Sequence, residues 1–229
     1  MLASHESDNF NNQQKRAVSW YYKMMIHSIE SLQIPTITPQ VIAVTSQQTD
    51  NLKGFLTINT VIKGELTIKL NRGVHKQVIS VTLAPLKGAV LAVQSANDLL
   101  KKLVMAPTMD MSEDNIPMTM HQLSEISQQL QSARQYFYSD SVTPFQIPSP
   151  NCRLEFQIKG HLLCTTAIQQ KDKDLLAELG QNIISTFKNE YWQTCTVESH
   201  VEQFQVFLDK CNATYHTILQ LQSNFKQLA

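Results

Sequence analysis

Residues 49–70 read TDNLKGFLTINTVIKGELTIKL, and this stretch contains one phrase twice: Lys53-Gly54-Phe55-Leu56-Thr57-Ile58 and Lys63-Gly64-Glu65-Leu66-Thr67-Ile68. Each copy alternates apolar and polar residues and is rich in Thr, Ile and Leu. That is the pattern of a strand with one face buried. The Lys-Gly ahead of each copy reads as a turn signal, because glycine reaches positive φ without steric cost. The expectation is a β-hairpin that buries Leu56, Ile58, Leu66, Ile68 and Leu70 on one face. Outside the β regions the chain reads almost entirely as amphipathic helix, so those helices must pack on this sheet or on one another.

The chain has 229 residues, enough for one large domain or two small ones with a substantial core. Apolar residues make up 42% and charged residues 17%, which places it among globular rather than disordered sequences. Formal net charge is zero. Nucleic-acid binders carry a basic surplus to neutralise phosphates, so that class is disfavoured. Near-zero charge favours association. Cys152, Cys164, Cys195 and Cys211 are widely spaced without a CxxC pair. The first residues, MLASHESD, are polar and do not read as a signal peptide. The expectation is a cytoplasmic protein with reduced thiols. No apolar run approaches the ~20 residues that span a bilayer.

Moving outward from the hairpin, residues 10–32 place Val18, Tyr22, Met25, Ile29 and Leu32 on one helical face, and Pro35 and Pro39 end it. Residues 41–44 read as a short strand. Beyond the hairpin, Asn71-Arg72-Gly73 reads as a turn and residues 78–83 as a third strand, which Pro85 ends. A second helix carries Ala89, Val93, Ala96, Leu100 and Leu103 on one stripe. Residues 105–117 read as a loop. A third helix, about 118–138, repeats Leu123, Ile126, Leu130, Ala133 and Phe137 at alternating three- and four-residue spacing. The proline-bearing stretch 139–150 reads as a crossing or hinge. Cys152, Leu154, Phe156 and Ile158 then alternate with polar residues, and 162–168 follow Gly160 as the second arm of another hairpin. Residues 171–194 read as helix. The last pattern, 197–228, reads as one long helix with Val201, Phe204, Leu208, Cys211, Tyr215 and Ile218 along its seam. Aromatic and Cys residues at the seam favour packing within one chain over a free two-stranded zipper, though the spacing leaves a homodimer open.

These readings give an α+β chain with an elongated helical bundle lobe and a β-rich lobe. The bundle takes the N-terminal, central and C-terminal helices, residues 10–34, 87–138 and 197–228. The β lobe takes two non-contiguous blocks, 41–84 and 150–195. The seam residues are Met25, Ile29, Leu123, Leu130 and Phe137 together with those of the last helix.

The sequence has no glycine-rich phosphate loop, no His pair at helical i,i+4 spacing and no GxSxG. His161 with Cys164 is the nearest approach to a metal pair, on adjoining strands, and reads more simply as a hairpin histidine beside a buried thiol. His200 and Cys211 share the expected last helix too far apart to hydrogen-bond. Asp110, Glu113 and Asp114 read as a solvated acidic loop without the glycine and terminal Glu of a calcium site. Trp20, Tyr21 and Tyr22 fan around a helix and read as packing residues, and Tyr191 with Trp192 reads as a packing or partner-facing pair. Asn212-Ala213-Thr214 matches the glycosylation sequon within an expected helix. No catalytic residue, cofactor or metal is expected.

The run Thr49-Asp50-Asn51-Leu52-Lys53-Gly54-Phe55-Leu56-Thr57, the strand ending Leu66-Thr67-Ile68-Lys69-Leu70-Asn71-Arg72, the stretch Gln131-Ser132-Ala133-Arg134, the β segment 150–169 and the long terminal helix occur in an order that resembles the Rogdi family. These are leucine-zipper-like proteins, small subunits of RAVE and rabconnectin complexes. The resemblance implies a helical lobe and a β lobe, each built from separated segments. It also implies a non-catalytic adaptor for assembly or regulation of the vacuolar proton-pumping ATPase (V-ATPase). Its partners would be a large WD-repeat protein and peripheral V-ATPase subunits, with recruitment to endosomal or vacuolar membranes and no direct insertion. A coiled-coil scaffold of a cytoskeletal or kinetochore complex is the alternative.

Overall fold

The repeated phrase forms the expected hairpin in a computed structural model, which describes residues 27, 36–46, 51–70, 73–105, 115–148, 152–170 and 192–228. Strands β1 (Gln40–Thr45), β2 (Leu52–Ile58), β3 (Val61–Leu70) and β4 (Gly73–Thr82) make an antiparallel sheet in that order. Leu52, Leu56, Ile58, Ile62, Leu66 and Ile68 are buried on one face, beside Ile42, Val44 and Ile79. The side chain of Leu70 lies outside the described residues. The other face is open, with Val41, Phe55, Val74 and Val78 exposed among lysines.

The hairpin differs from expectation at its glycines. Lys53-Gly54 and Lys63-Gly64 lie inside β2 and β3, and the connection is Asn59-Thr60. There the Thr60 N–H donates to Asn59 Oδ1 at 2.8 Å. The glycines serve close backbone approach. A Cβ on Gly54 would strike the Glu65 carbonyl oxygen, and one on Gly64 the Phe55 carbonyl oxygen. The third strand starts at Gly73, well before residue 78, because β4 pairs with β3 along its full length, from Leu70↔Gly73 to Val61↔Thr82.

A second antiparallel sheet has the order β5 (Val142–Gln146), β6 (Cys152–Lys159), β7 (Leu162–Gln170), β8 (Trp192–His200). β6 buries Cys152, Leu154, Phe156 and Ile158 in strict alternation. Gly160 turns the β6–β7 hairpin at φ 60°, the left-handed region that favours glycine. Two readings are corrected. The proline-bearing crossing contains β5, and Pro144 is tolerated because β5 is the outer strand of the sheet. Residues 192–200 are neither the end of one helix nor the start of another. They form β8, paired with β7 in the register Thr165↔Val197 and Ala167↔Cys195. Cys195, Val197 and Ser199 turn to the buried side in alternation. Val197, Val201 and Phe204 also fit helical spacing, and β pairing overrides that coincidence.

Among the described residues there are three α-helices: α1 (Ala84–Met105), α2 (Asn115–Gln135) and α3 (Glu202–Leu228). A 3₁₀ turn, Tyr136–Tyr138, follows α2. Pro85 and Pro117 sit in first turns, where the missing N–H costs no helical bond. The α1 stripe from Ala89 to Leu103 is buried, as are Leu123, Ile126, Leu130 and Ala133 of α2 and Phe137 after it. The expected helix over 10–32 and most of the one over 171–194 lie outside the described residues, although His27 is helical.

The chain divides into two compact units. One contains Leu91–Arg134 and Asp209–Ala229. Its core joins Ala96, Leu100 and Leu103 of α1, Leu123, Ile126 and Leu130 of α2, and Ile218, Leu221 and Phe225 of α3. Burying each such large side chain contributes about 1.5–3 kcal/mol. The other contains Thr36–Val90 and Gln135–Leu208, with both sheets. No described helix is long and apolar enough to cross a membrane.

Candidate functional site

Within the sheet-bearing unit, the outer strands β1 and β8 lie side by side without forming a ladder. A groove of about 380 Å³ runs between them, lined by residues 40–43 and 45 of β1 and 197–200 of β8. Its floor is tied by Ser199, whose Oγ donates to the Ala43 carbonyl at 3.1 Å. The start of α3 is bonded to β1 and the residues just before it. The Gln203 backbone N–H, one of the donors a helix N-terminus leaves free, donates to Gln40 Oε1 at 3.1 Å. The Gln203 side-chain amide donates to Thr38 Oγ1 at 2.6 Å and to the Pro39 carbonyl at 3.5 Å. The first turn of α3 is therefore capped by a residue far away in sequence. Val201, the residue just before the helix, donates its N–H to the His161 carbonyl at 2.9 Å.

Glu198, Ser199 and His200 are residue types that catalyse acyl transfer, set consecutively. A strand points alternate side chains to opposite faces, so Ser199 turns inward while Glu198 and His200 turn outward. The serine hydroxyl is engaged with Ala43, and the His200 ring lies against His161, centroids 4.9 Å apart. Cys164 does not join His161. Its thiol donates to Glu198 Oε1 at 3.7 Å. His200 and Cys211 do not share a helix, since His200 belongs to β8. No cluster of three His, Cys, Asp or Glu among the described residues could hold a metal ion.

The cysteines are free and buried. Burial pushes the Cys211 thiol up to about 12, against the pull of the nearby Arg134 guanidinium. Burial raises Cys152 as well. It also raises Cys164, with Lys159 opposing and Glu198 reinforcing. Because the thiolate is the nucleophile, raised thiols react slowly.

The expected seam residues fall in both units. Val201, Phe204, Leu208 and Phe137 are buried in the sheet-bearing unit. There Phe137 meets Phe204 edge-on at 5.3 Å and stacks on Phe207 at 5.1 Å. Leu123, Leu130, Cys211 and Ile218 are buried in the other unit, where the Arg134 guanidinium lies 5.6 Å from the centre of the half-buried Tyr215 ring. Met25 and Ile29 lie outside the described residues, as do Asp110, Glu113, Asp114, Trp20, Tyr21, Tyr22 and Tyr191. The sequon residues lie in α3, where Thr214 is buried. The groove was not foreseen. Gln40 and Gln203 carry no local signal of a pairing that only the tertiary fold creates.

The fold is that of an α+β protein with two four-stranded meanders interleaved with helices. Compared with known proteins, the chain matches no family model and no curated sequence.

Proposed function

We propose that this chain is a non-catalytic adaptor subunit of a RAVE/rabconnectin-type complex, promoting assembly or regulation of the V-ATPase. The observation that supports this most is the interleaving of elements. A meander, two helices, a second meander and a long final helix follow one another, while one helical core draws on α1, α2 and α3. This order agrees with the one the resemblance implies. The quoted run enters β2, Ser132-Ala133-Arg134 lies at the end of α2, and the later β segment supplies β6 and β7. In this reading the helices make an elongated bundle lobe that also takes in residues 10–34, and the sheets make the second lobe. The chain works by shape and buried area, in the cytoplasm, with peripheral recruitment to endosomal or vacuolar membranes.

Affinity purification of the tagged full chain, followed by mass spectrometry, tests the proposal. The expected catch is a large WD-repeat protein together with peripheral V-ATPase subunits. Recovery of cytoskeletal or kinetochore components alone would replace this reading with that of a coiled-coil scaffold.

A further inference from the structure

Among the described residues four strands end the two sheets, and three of them are protected. β1 and β8 lie beside each other, joined through Ser199 and Ala43. β5 is short and carries Pro144, a residue that offers no N–H to a further strand. β4 is different. It runs ten residues without proline, and β3 is the described element it meets along its length. Half of its backbone N–H and C=O groups point away from β3, where no described strand pairs with them.

The face beside this edge is also one-sided in charge. Among the described residues, Lys53, Lys63, Lys69 and Lys76 share the open side of the sheet with a single carboxylate, Glu65. No described carboxylate forms an ion pair with any of these lysines. The surplus is local, because the whole chain is formally neutral. Along β4 the outward side chains are Val74, 62% exposed, then Lys76, then Val78, 78% exposed, followed by the small polar Ser80 and Thr82.

We propose that β4 docks an extended acidic segment of another protein as a fifth strand of the first sheet. Main-chain hydrogen bonds to this edge, which no described strand occupies, supply affinity, and alternate side chains supply selectivity. On the open face, an Asp or Glu of the incoming strand stands opposite Lys76. Apolar residues stand opposite Val74 and Val78. The recognised pattern is apolar-x-acidic-x-apolar, which reads alike in both strand directions. In β3, Lys69 and Glu65, paired with Val74 and Val78, stand to either side of Lys76 one strand further in, so their charges offset and Lys76 supplies the local positive charge. The inference does not depend on the V-ATPase reading, since it concerns the edge of this sheet alone.

Fluorescence anisotropy of a labelled synthetic peptide against the full chain tests it. The peptide alternates Thr on one side with Val, Glu and Val on the other. Saturable binding is expected. Lys76→Glu should weaken binding about tenfold or more, as like-charge juxtaposition does at interfaces, and should restore binding of the peptide with Lys in place of Glu. Replacing a Thr next to the Glu by Pro should abolish binding, which plain charge attraction would not do. Circular dichroism should show Lys76→Glu folded, because the side chain is exposed. Equal binding of a scrambled peptide of the same charge would overturn the proposal. So would binding unaffected by Lys76→Glu. Failure of the peptide to bind, with the chain instead sedimenting with phosphatidylserine vesicles, would overturn it in favour of a lipid surface. Failure of the peptide with a concentration-dependent dimer that Val78→Glu dissolves would overturn it in favour of a second copy.

Discussion

Phe137 carries the contact on which the sheet-bearing unit most visibly depends. It has no exposed surface and lies after α2, yet its ring meets Phe204 and Phe207 from the start of α3. Its carbonyl also accepts the N–H of Gly160 from the β6–β7 turn at 2.7 Å. Truncation to Ala should cost about 3–5 kcal/mol, the range for large aromatic residues in well-packed cores. Domains are stable by only about 5–15 kcal/mol, so that loss is severe. A gentler test isolates the ring contact. Phe137→Leu and Phe204→Leu should each destabilise by about 1 kcal/mol, because volume is nearly kept. Made together, they should show a coupling of about 0.5–1.5 kcal/mol, the usual worth of an edge-on aromatic pair. Urea denaturation followed by circular dichroism gives all four stabilities. Singles that add to within ~0.3 kcal/mol would mean the rings do not touch, and the placement of α3 beside Phe137 would be refuted.

Leu208, 3% exposed, should not accept a carboxylate. Leu208→Asp should cost several kcal/mol, and an unchanged melting temperature would contradict its burial. Gly64→Ala should destabilise by about 2 kcal/mol or more, since its Cβ would meet the Phe55 carbonyl, whereas a neutral effect in thermal melting would place the glycine elsewhere. Gln40→Ala should lower stability by about 1 kcal/mol through loss of the α3 cap, and denaturation equal to wild type would dismiss that cap. Cys211 has a thiol raised in the folded state, so the stability it contributes is complete below its ordinary value of 9.0. That stability is lost as pH rises toward about 12, because the unfolded chain ionises first. Comparing wild type with Cys211→Ala across this window should show a steeper decline in wild type, and parallel curves would argue against the burial.

Much of the fold was legible because its signals are local. The stripes from Ala89 to Leu103 and from Leu123 to Phe137 are periodic over several turns, and Cys152 to Ile158 alternate without a break. What was illegible depends on remote partners. β8 fits helical spacing as well as strand alternation, and only the presence of β7 decides between them. β5 hid behind Pro144, which is excluded from inner strands but not from an outer one. The glycines of the repeated phrase looked like turns because a sequence shows conformational freedom but not the carbonyl of the neighbouring strand. The groove between β1 and β8 had no motif at all, since Ser199 and Ala43 meet only after both sheets have formed.

Residues 192–200 complete the second sheet and thereby bring the start of α3 against β1. Nuclear Overhauser spectra of the isotope-labelled chain test this directly. Cross-strand contacts between Thr165 and Val197, and contacts between Ala43 and Ser199, are expected. Unbroken sequential amide contacts of helical type through residues 193–200, with no cross-peaks to β7 or β1, would contradict it.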